Sequence, residues 1–542
     1  MNSTSAASHR WNPRPEASRL GIRFAALMIC SVTALLSAVS WADVRLPAII
    51  SDNMVLQAGS RVALWGWADP NEEINVNVSW SKANWTIQAD DKGKWTFRMT
   101  APETGGPYEI TLKGKNAITI KNILAGEVWL CSGQSNMEMA VGSAANAKEE
   151  IAGADQSQIR LFTVEKKVAE KPESDCKGKW VVCSPETVGG FSAAGYFFGR
   201  ELHKELKQPI GLIHTSWGGT LAEAWTSPAA LRANPNLEPI LTRYKEALAV
   251  FPKASAKYKE DLAKWNEAAK QAKEEGKPVP SGRPAQPLGP GNPNSPSGLY
   301  NAMIAPLIPY TIRGAIWYQG ESNAGRAYQY RDLFPTMIKS WWNAWKQEEQ
   351  EEQEDFAFLF VQLANFMAVK EEPGDSSWAE LREAQTMTLE IPNTGMAVII
   401  DIGDTKNIHP TNKQDVGKRL ALWALGNTYG KSLVYSGPMY KSMEKKGNKI
   451  VLSFNHVGGG LVAKGGEPLK GFAIAGTDRK FVWADAKIEG DKIVVGSEKV
   501  PDPIAVRYAW ADNPICNLYN KADLPASPFR TDTWPGVTAN SK

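Results

Sequence analysis

The region from about residue 125 to residue 430 alternates short apolar runs with helical patterns, and this alternation constrains the fold most. Six apolar runs lie near residues 127–131, 158–164, 210–215, 312–318, 356–363 and 396–402. The clearest helical patterns cover residues 193–206, 330–347 and 413–425. Strands that alternate with helices in this way predict a parallel sheet covered on both faces. The sequence therefore predicts an α/β domain over residues 125–430.

The segments on either side of this domain have sequence patterns typical of β-strands. Residues 43–124 contain short alternating runs separated by turn signals, which predict an N-terminal β-sandwich domain. Residues 431–542 return to strand patterns and predict a C-terminal β-rich domain. Residues 228–298 interrupt the α/β domain with charged helix formers, followed by a Pro/Gly-rich stretch. We interpret this interruption as a helical and loop insertion.

Residues 1–42 have the pattern of a signal peptide. Arginines precede an apolar stretch at 24–39, and Ser40-Trp41-Ala42 fits the small-x-small cleavage rule. We therefore expect an exported protein, periplasmic or extracellular, that is cleaved near Ala42 and is not held at a membrane afterwards. The leader holds four arginines and one glutamate, so the formal charge of +3 falls to zero without it. A neutral chain argues against a nucleic-acid partner.

The cysteines permit one local disulfide and show no zinc pattern. Cys176 and Cys183 bracket a short span that suits a hairpin disulfide in an exported protein, and two free thiols are the alternative. Cys131 ends an apolar strand and is expected to be a buried thiol. No CxxC or CxxH spacing indicates zinc. The sequence predicts no metal site and no cofactor.

The run from Gly126 to Met139 contains the candidate nucleophile. Its first half reads as a buried strand, Ser132-Gly133 forces a turn, and Ser135 stands where a helix would begin. A hydroxyl at this position lies near free backbone N–H groups and the positive end of the helix dipole, which favour an oxyanion. A serine esterase needs this arrangement. The alternative is that Ser135 only caps the helix.

His409 is the histidine best placed to act as a base. It follows the strand pattern at 396–402 and precedes the helix that begins near residue 413. Ligand chemistry in α/β sheets lies in loops at the carboxyl ends of parallel strands. The alternative is that His409, followed by Pro410, only shapes the start of the helix.

Two further strand ends offer groups that can bind an oxyanion. Gly218 and Gly219 follow the strand at 210–215, and either could point an N–H group into the site. Gln319 ends the strand at 312–318 and offers a side-chain amide. The alternatives are that the glycines serve only the turn and that Gln319 satisfies backbone groups.

Four sequence blocks carry these residues in a fixed order: Gly-Gln-Ser-Asn-Met (133–137), Trp-Gly-Gly-Thr (217–220), Trp-Tyr-Gln-Gly-Glu-Ser-Asn (317–323) and Ile-His-Pro (408–410). Together they resemble the sialate O-acetylesterase family of SGNH hydrolases. Similarity continues at residues 296–303, 378–385, 516–519 and 525–530 and covers most of the chain after the leader. The resemblance implies an SGNH-type three-layer α/β/α sandwich, hydrolysis without a metal ion, and carbohydrate O-acetyl esters as substrates.

Carried over position by position, the resemblance makes Ser135 the nucleophile and His409 the base. It makes the Ser135 N–H, an N–H of Gly218 or Gly219, and the Gln319 side chain the oxyanion donors. Esterase chemistry would then proceed through an acetyl-enzyme intermediate.

The third member of the triad stays open. SGNH hydrolases commonly have Asp three residues before the catalytic histidine, and this chain has Lys406 there, followed by Asn407. Asp404 is the first candidate to orient His409, and Asp401 is the second. The third possibility is that a backbone carbonyl holds the imidazole, which leaves a serine–histidine dyad. An acid at this place fixes the tautomer of the imidazole and stabilises the imidazolium.

The substrate class is carbohydrate, with the particular sugar open. Trp217, Asn323 and Arg382 are the predicted substrate-binding residues. Aromatic faces such as that of Trp217 suit sugar rings. Arg382 suits a carboxylate such as that of sialic acid, and a surface ion pair is its alternative role. Acetylated plant polysaccharides fit the same catalytic residues.

A non-catalytic carbohydrate-binding protein with a degenerate hydrolase core is the alternative function. The oligomeric state stays open.

Overall fold

The computed structural model describes residues 43–349 and 355–542. The predicted signal peptide, and with it the expected export, falls on residues outside this part of the chain. Within the described ranges, no helix combines the length and the apolar character needed to cross a membrane.

The described residues form 23 strands and nine α-helices, joined by shorter helical turns. The strands are β1 (Val55–Gln57), β2 (Arg61–Trp67), β3 (Glu73–Val78), β4 (Asn84–Gln88), β5 (Lys94–Thr100), β6 (Gly105–Lys113), β7 (Ala117–Gly133), β8 (Gln156–Thr163), β9 (Trp180–Cys183), β10 (Ile210–Ser216), β11 (Gly314–Tyr318), β12 (Ala357–Val361), β13 (Thr394–Ala397), β14 (Met439–Lys446), β15 (Lys449–Asn455), β16 (Leu461–Ala463), β17 (Phe472–Ala475), β18 (Val482–Trp483), β19 (Asp485–Glu489), β20 (Lys492–Gly496), β21 (Ala505–Tyr508), β22 (Leu518–Asn520) and β23 (Phe529–Arg530).

The α-helices are α1 (Ser135–Glu138), α2 (Ala147–Ala152), α3 (Pro185–Val188), α4 (Ala193–Leu206), α5 (Pro228–Ala233), α6 (Glu238–Glu274), α7 (Ala327–Glu349), α8 (Ser377–Met387) and α9 (Lys413–Trp423). The 3₁₀ turns are Val141–Ser143, Ala222–Trp225, Pro235–Leu237, Ala305–Leu307, Glu321–Arg326 and Thr388–Glu390. Two π-helical turns are Tyr300–Ile304 and Ala424–Thr428. The long helix α6 lies in the predicted insertion.

The central sheet has the strand order β13-β12-β11-β7-β10-β8-β9. Its first six strands are parallel to one another, and only β9 runs antiparallel, against β8. Leu130 on β7 lies opposite Ile213 on β10 and Ala315 on β11. The mixed α/β fold with a parallel sheet confirms the prediction from the alternating pattern.

Strand β7 joins the N-terminal β unit to the central sheet. It is 17 residues long and pairs with β6 as far as Ala125. It then pairs with β10 from Glu127 and with β11 from Trp129. The boundary predicted after residue 124 therefore falls inside a continuous strand. A continuous strand, and not a flexible linker, connects the two units.

Alternate residues of the central strands enter two apolar clusters, one on each face of the sheet. On β7, Val128 and Leu130 belong to the cluster that contains residues of α7 and α8. Trp129 and Cys131 belong to the other cluster, with residues of α4 and α9. Because successive side chains of a strand point to opposite faces, helices cover both faces.

The C-terminal unit consists of small antiparallel sheets around a third cluster, which includes Ile450, Phe472 and Ile493. Two of these sheets have four strands, in the orders β14-β15-β20-β19 and β18-β17-β21-β23, and β16 pairs with β22. The unit packs on the α/β core through hydrogen bonds such as that from Phe366 N–H to Asp512 O.

Of the two alternatives for Cys176 and Cys183, a disulfide or two free thiols, the structure has two free thiols. Cys183 ends β9 inside the cluster that contains α4 and α9, whereas Cys176 packs against the cluster with α7 and α8. The two side chains therefore enter different parts of the core. Burial raises the pKa of Cys176 and of Cys183 to about 12, which keeps both as unreactive thiols.

We expect the protein that begins at residue 43 to contain four free thiols, because Cys131, Cys176, Cys183 and Cys516 are all unpaired. Thiol titration without a reducing agent should find them after unfolding in guanidinium. It should find few in the folded protein, because each side chain is wholly or partly buried. Two thiols per unfolded chain would contradict this arrangement.

Candidate active site

The four sequence blocks meet at the carboxyl edge of the central sheet. Strand β7 leads to Ser135, β10 to Trp217 and the glycines after it, and β11 to Gln319. The chain after β13 reaches His409 before α9 begins. Parallel strands bring their carboxyl ends to one edge, where open α/β sheets hold ligands. The sheet therefore brings together residues that lie up to 274 positions apart.

A tight turn after β7 presents Ser135. Gly133 has φ of 140°, and a Cβ atom there would lie 2.2 Å from the backbone oxygen of Tyr318. Only glycine fits this approach without strain. Gln134 N–H donates to the same Tyr318 oxygen at 3.0 Å. Ser135 is the first residue of α1, so its own N–H has no acceptor within that helix.

Ser135 and His409 are in direct contact. The distance from Ser135 Oγ to His409 Nε2 is 2.8 Å, within the range for a nucleophile and its base. Both side chains are half-buried, so the pair remains accessible from solvent. Burial, and next the charge of Lys413, lower the pKa of His409.

The structure does not bring Asp404 to the imidazole. The Asp404 carboxylate accepts the N–H groups of Lys406 and Asn407 at 2.7 and 2.9 Å and so stabilises its own exposed loop. Those two hydrogen bonds lower the pKa of Asp404. This corrects the prediction that Asp404 orients His409.

The second candidate acid also has other partners. Asp401 accepts two hydrogen bonds from Arg419, at 2.6 and 2.8 Å, and one from Tyr519. Across residues 43–349 and 355–542, no carboxylate is hydrogen-bonded to His409. The geometry therefore agrees with a serine–histidine dyad. The backbone carbonyl expected to hold the imidazole is not hydrogen-bonded to it within the described residues.

Two of the predicted oxyanion donors are committed to the protein. Gly218 lies against the nucleophile, since a Cβ there would come within 3.2 Å of Ser135 Cβ, but its N–H donates to Glu138 Oε2 at 2.6 Å. Gln319 is fully buried and donates its side-chain amide to Thr220 O and Asn323 Oδ1. These contacts correct the prediction for Gly218 N–H and for the Gln319 amide.

Gly219 is the second of the two candidate glycines, and it is accessible to solvent. It is exposed, it has φ of +75°, and an added Cβ would meet nothing within 4 Å. Its N–H and that of Ser135 are therefore the predicted donors left available at the site.

Two of the three predicted substrate residues are internal. Asn323 is buried, accepts from Ala222 N–H at 3.0 Å and donates to Glu223. Arg382 is 0% exposed, and burial lowers its pKa to about 9. Its guanidinium donates to four backbone oxygens, those of Leu363, Ala364, Ala511 and Asp512. The prediction of substrate contacts by Asn323 and Arg382 is wrong, because both hold loops together.

Trp217 is the substrate candidate that solvent can reach. Its ring is half-buried, and the Lys166 ammonium lies 5.4 Å from the ring centroid. Lys166 also forms an ion pair with Glu138 at 2.5 Å. Trp217 directly follows β10 beside Gly218, so it borders the nucleophile.

Sequence reasoning missed three polar residues beneath the serine–histidine pair. Asn136, Glu321 and Lys413 join through hydrogen bonds, with Asn136 in the middle. Their positions in the sequence could have indicated them, because Asn136 and Glu321 lie inside two of the four sequence blocks and Lys413 is four residues after His409. The described chain contains no cluster of three His, Cys, Asp or Glu side chains arranged to hold a metal ion.

A parallel-sheet α/β core with this serine and histidine at its carboxyl edge defines the class: the chain is a carboxylic ester hydrolase. It belongs to the family of carbohydrate esterases described as sialic acid-specific acetylesterases, whose model matches residues 125–271 and 292–425. This confirms the resemblance seen in the four blocks. It also sets aside the alternative of a non-catalytic binding protein.

The sequence of this chain is similar to that of known carbohydrate esterases over most of its length. The sialate O-acetylesterase of Rattus norvegicus is 31% identical, covering 93% of this chain and 97% of its own length. That of Homo sapiens is 29% identical, covering 93% of this chain and 98% of its own length. A carbohydrate acetylesterase from Xanthomonas citri has a crystal structure that is similar with a TM-score of 0.76 and 38% identity. That similarity covers 91% of this chain and all of the other.

The lowered pKa of His409 predicts how activity depends on pH. A general base must be neutral, so activity is lost as the pH falls through the pKa of His409, which lies below the ordinary 6.5. We expect kcat/KM for 4-nitrophenyl acetate to reach half its maximum on the acid side below pH 6.5. His203→Gln, a change on α4 away from the site, should leave the profile unchanged. A half-maximum above pH 6.5 would contradict the assignment of the base.

Proposed function

We propose that this chain is a serine esterase that removes O-acetyl groups from carbohydrates through an acetyl-enzyme. The contact of 2.8 Å between Ser135 Oγ and His409 Nε2 is the observation that carries the proposal. We also propose that the core is an SGNH-type three-layer α/β/α sandwich, supported by the two apolar clusters with helices on each face of the parallel sheet.

In the first half of the reaction, His409 Nε2 takes the proton of Ser135 as Oγ attacks the acetyl carbonyl carbon. The carbonyl oxygen becomes an oxyanion, and the N–H groups of Ser135 and Gly219 donate to it. The C–O bond to the sugar then breaks, and the imidazolium returns its proton to the sugar oxygen. The products are a free sugar hydroxyl and acetylated Ser135.

In the second half, water replaces the sugar. His409 takes a proton from water as its oxygen attacks the acetyl carbon, and the same N–H groups hold the second oxyanion. Collapse breaks the bond to Ser135 Oγ, which regains its proton from the imidazolium. Acetate leaves and the free enzyme is restored.

Ser135→Ala tests the nucleophile. It removes the attacking oxygen, so we expect acetate release from acetylated xylan to fall by about four orders of magnitude or more. The unfolding temperature should stay near that of the wild type, because Ser135 is only half-buried. Ser143→Ala is the matched control, since Ser143 is exposed in the next helical turn. A folded Ser135→Ala variant with full activity would end the proposal.

The carbohydrate is proposed to be neutral, such as acetylated xylan, because the residue predicted to bind a carboxylate is buried. The N–H groups of Arg382 donate hydrogen bonds to backbone oxygens. The positive charge of Lys166 beside Trp217 is paired with Glu138. The one cation given beside Trp217 in the described part of the chain is therefore already paired, so the charges there do not favour an acidic sugar over a neutral one.

Acetate release from acetylated xylan and from O-acetylated sialic acid, compared under the same conditions, tests this substrate class. We expect kcat/KM for xylan to be at least as large, and Lys166→Met to change the ratio by less than about twofold. A strong preference for sialic acid that Lys166→Met abolishes would show that the lysine binds the carboxylate. That result would reject the neutral substrate and leave the serine mechanism in place.

A further inference from the structure

The loop that carries His409 is held by hydrogen bonds to the two backbone oxygens that flank it. Ile408 O, on one side, accepts from Asn136 Nδ2 at 3.1 Å. Pro410 O, on the other side, accepts from Lys413 Nζ at 2.7 Å. Both donors are buried side chains, with Asn136 1% exposed and Lys413 0% exposed. Side chains therefore fix the peptide groups on both sides of the imidazole.

Asn136 connects these two donors to a buried acid. Its Oδ1 accepts from Lys413 Nζ at 2.7 Å, and its Nδ2 donates to Glu321 Oε1 at 2.6 Å. Asn136 follows the nucleophile, Glu321 follows β11, and Lys413 begins α9. The network thus joins three of the four sequence blocks directly below the reacting pair.

We infer that Asn136 and Lys413 are positioning residues, which hold His409 against Ser135 through the carbonyl groups of Ile408 and Pro410 and so perform the orienting role of the missing triad acid. This inference rests on the proposed serine esterase function.

Stability alone does not favour a lysine at position 413. Burying an ammonium group is costly, and burial lowers the pKa of Lys413 to about 7. Lys413 is also the first residue of α9, where the positive end of the helix dipole repels a cation. Glu321 adds a second cost, because burial raises its pKa and its Oε2 has no hydrogen-bond partner in the described chain. The hydrogen bonds that these buried groups make fix the loop that carries His409, and this offsets the cost of burying them.

The imidazole needs this support, because its Nε2 contact with Ser135 is the one side-chain hydrogen bond recorded for it in the described chain. The backbone of His409 makes one further hydrogen bond, from its N–H to Asn407 Oδ1 at 2.9 Å. A ring held in this way keeps its place only if the peptide that carries it does not move. A misplacement of about 1 Å can cost a reaction about a hundredfold.

The fall in kcat at nearly constant KM is the readout of positioning, and the charges around His409 add a second one. The pH at which kcat/KM falls reports whether the charge of Lys413 acts on the imidazole. Burial is the largest cause that lowers the pKa of His409, and the charge of Lys413 on α9 lowers it further. Burial also lowers the pKa of Lys413, and the charge of Glu321 after β11 opposes that shift. Tyr318 on β11 presents its ring 5.2 Å from the Lys413 ammonium. Asp404 is bound to its own exposed loop. Removing the cation at position 413 should therefore raise the pKa of His409.

Lys413→Met tests the inference, with 4-nitrophenyl acetate as substrate. We expect kcat to fall by about 10- to 100-fold with KM changed less than about threefold. The acid limb of kcat/KM should move to higher pH, because a charge that lowers the pKa of His409 has been removed. Lys413→Arg keeps the charge and donors, so its acid limb should stay near that of the wild type. Lys406→Met, an exposed lysine in the same loop, is the matched control and should change neither value.

Asn136→Ala provides a second route if Lys413→Met does not fold. It should lower kcat by a similar factor. The double variant should lose little more than either single variant, because the two residues act as one unit. Asp404→Asn should retain activity within about threefold. If both single variants keep wild-type kcat, or if Asp404→Asn loses more than about a hundredfold in kcat, the inference is overturned.

The failure of this inference can be told from the failure of the proposed function. If the wild-type enzyme released no acetate and a fluorophosphonate probe did not label Ser135, the esterase proposal itself would fail and the inference with it. If the wild type is active and labelled while Lys413→Met and Asn136→Ala are unchanged, only the positioning role is wrong.

Discussion

The parallel register of the central sheet is the constraint on which the site depends. Six strands end at the same edge, so the turn after β7 and the loop before α9 come together although 274 positions separate Ser135 from His409. Hydrogen bonds along β7, β10 and β11 fix how far each strand reaches. A shift of one residue in this register would turn every side chain of a strand to the opposite face. The active-site geometry is therefore a consequence of backbone pairing.

Many polar residues in the sequence blocks serve the scaffold and not the substrate. Gln319, Asn323 and Arg382 are buried, and their donors are paired with backbone or side-chain oxygens. A loop that leaves a strand end has free carbonyl and N–H groups, and burying them without partners is costly. Side-chain amides and guanidinium groups satisfy these backbone groups. This explains how a motif residue can be essential to the site without touching a ligand.

The electrostatics of the site follow from burial. The pKa values of His409 and Lys413 are lowered and that of Glu321 is raised, with desolvation as the largest cause for each. A base that stays neutral at mildly acidic pH suits proton transfer from a serine. Lys413 and Glu321 carry opposite charges close to Asn136, so each reduces the shift of the other. The loop is thus held by groups whose charge states are coupled.

Sequence patterns were sufficient to predict the α/β core, the strand ends that carry the site, and the serine and histidine that meet there. Periodicity and turn residues are local signals, and a parallel sheet places the residues that follow its strands at one edge. The neighbours of each polar group, in contrast, depend on the tertiary structure. It paired Asp404 with its own loop, Gly218 with Glu138 and Arg382 with four carbonyl groups, and it kept Cys176 and Cys183 apart. A hydrogen bond requires its two atoms to lie about 3 Å apart. The spacing of residues along the chain does not contain such distances between segments that are far apart in the sequence.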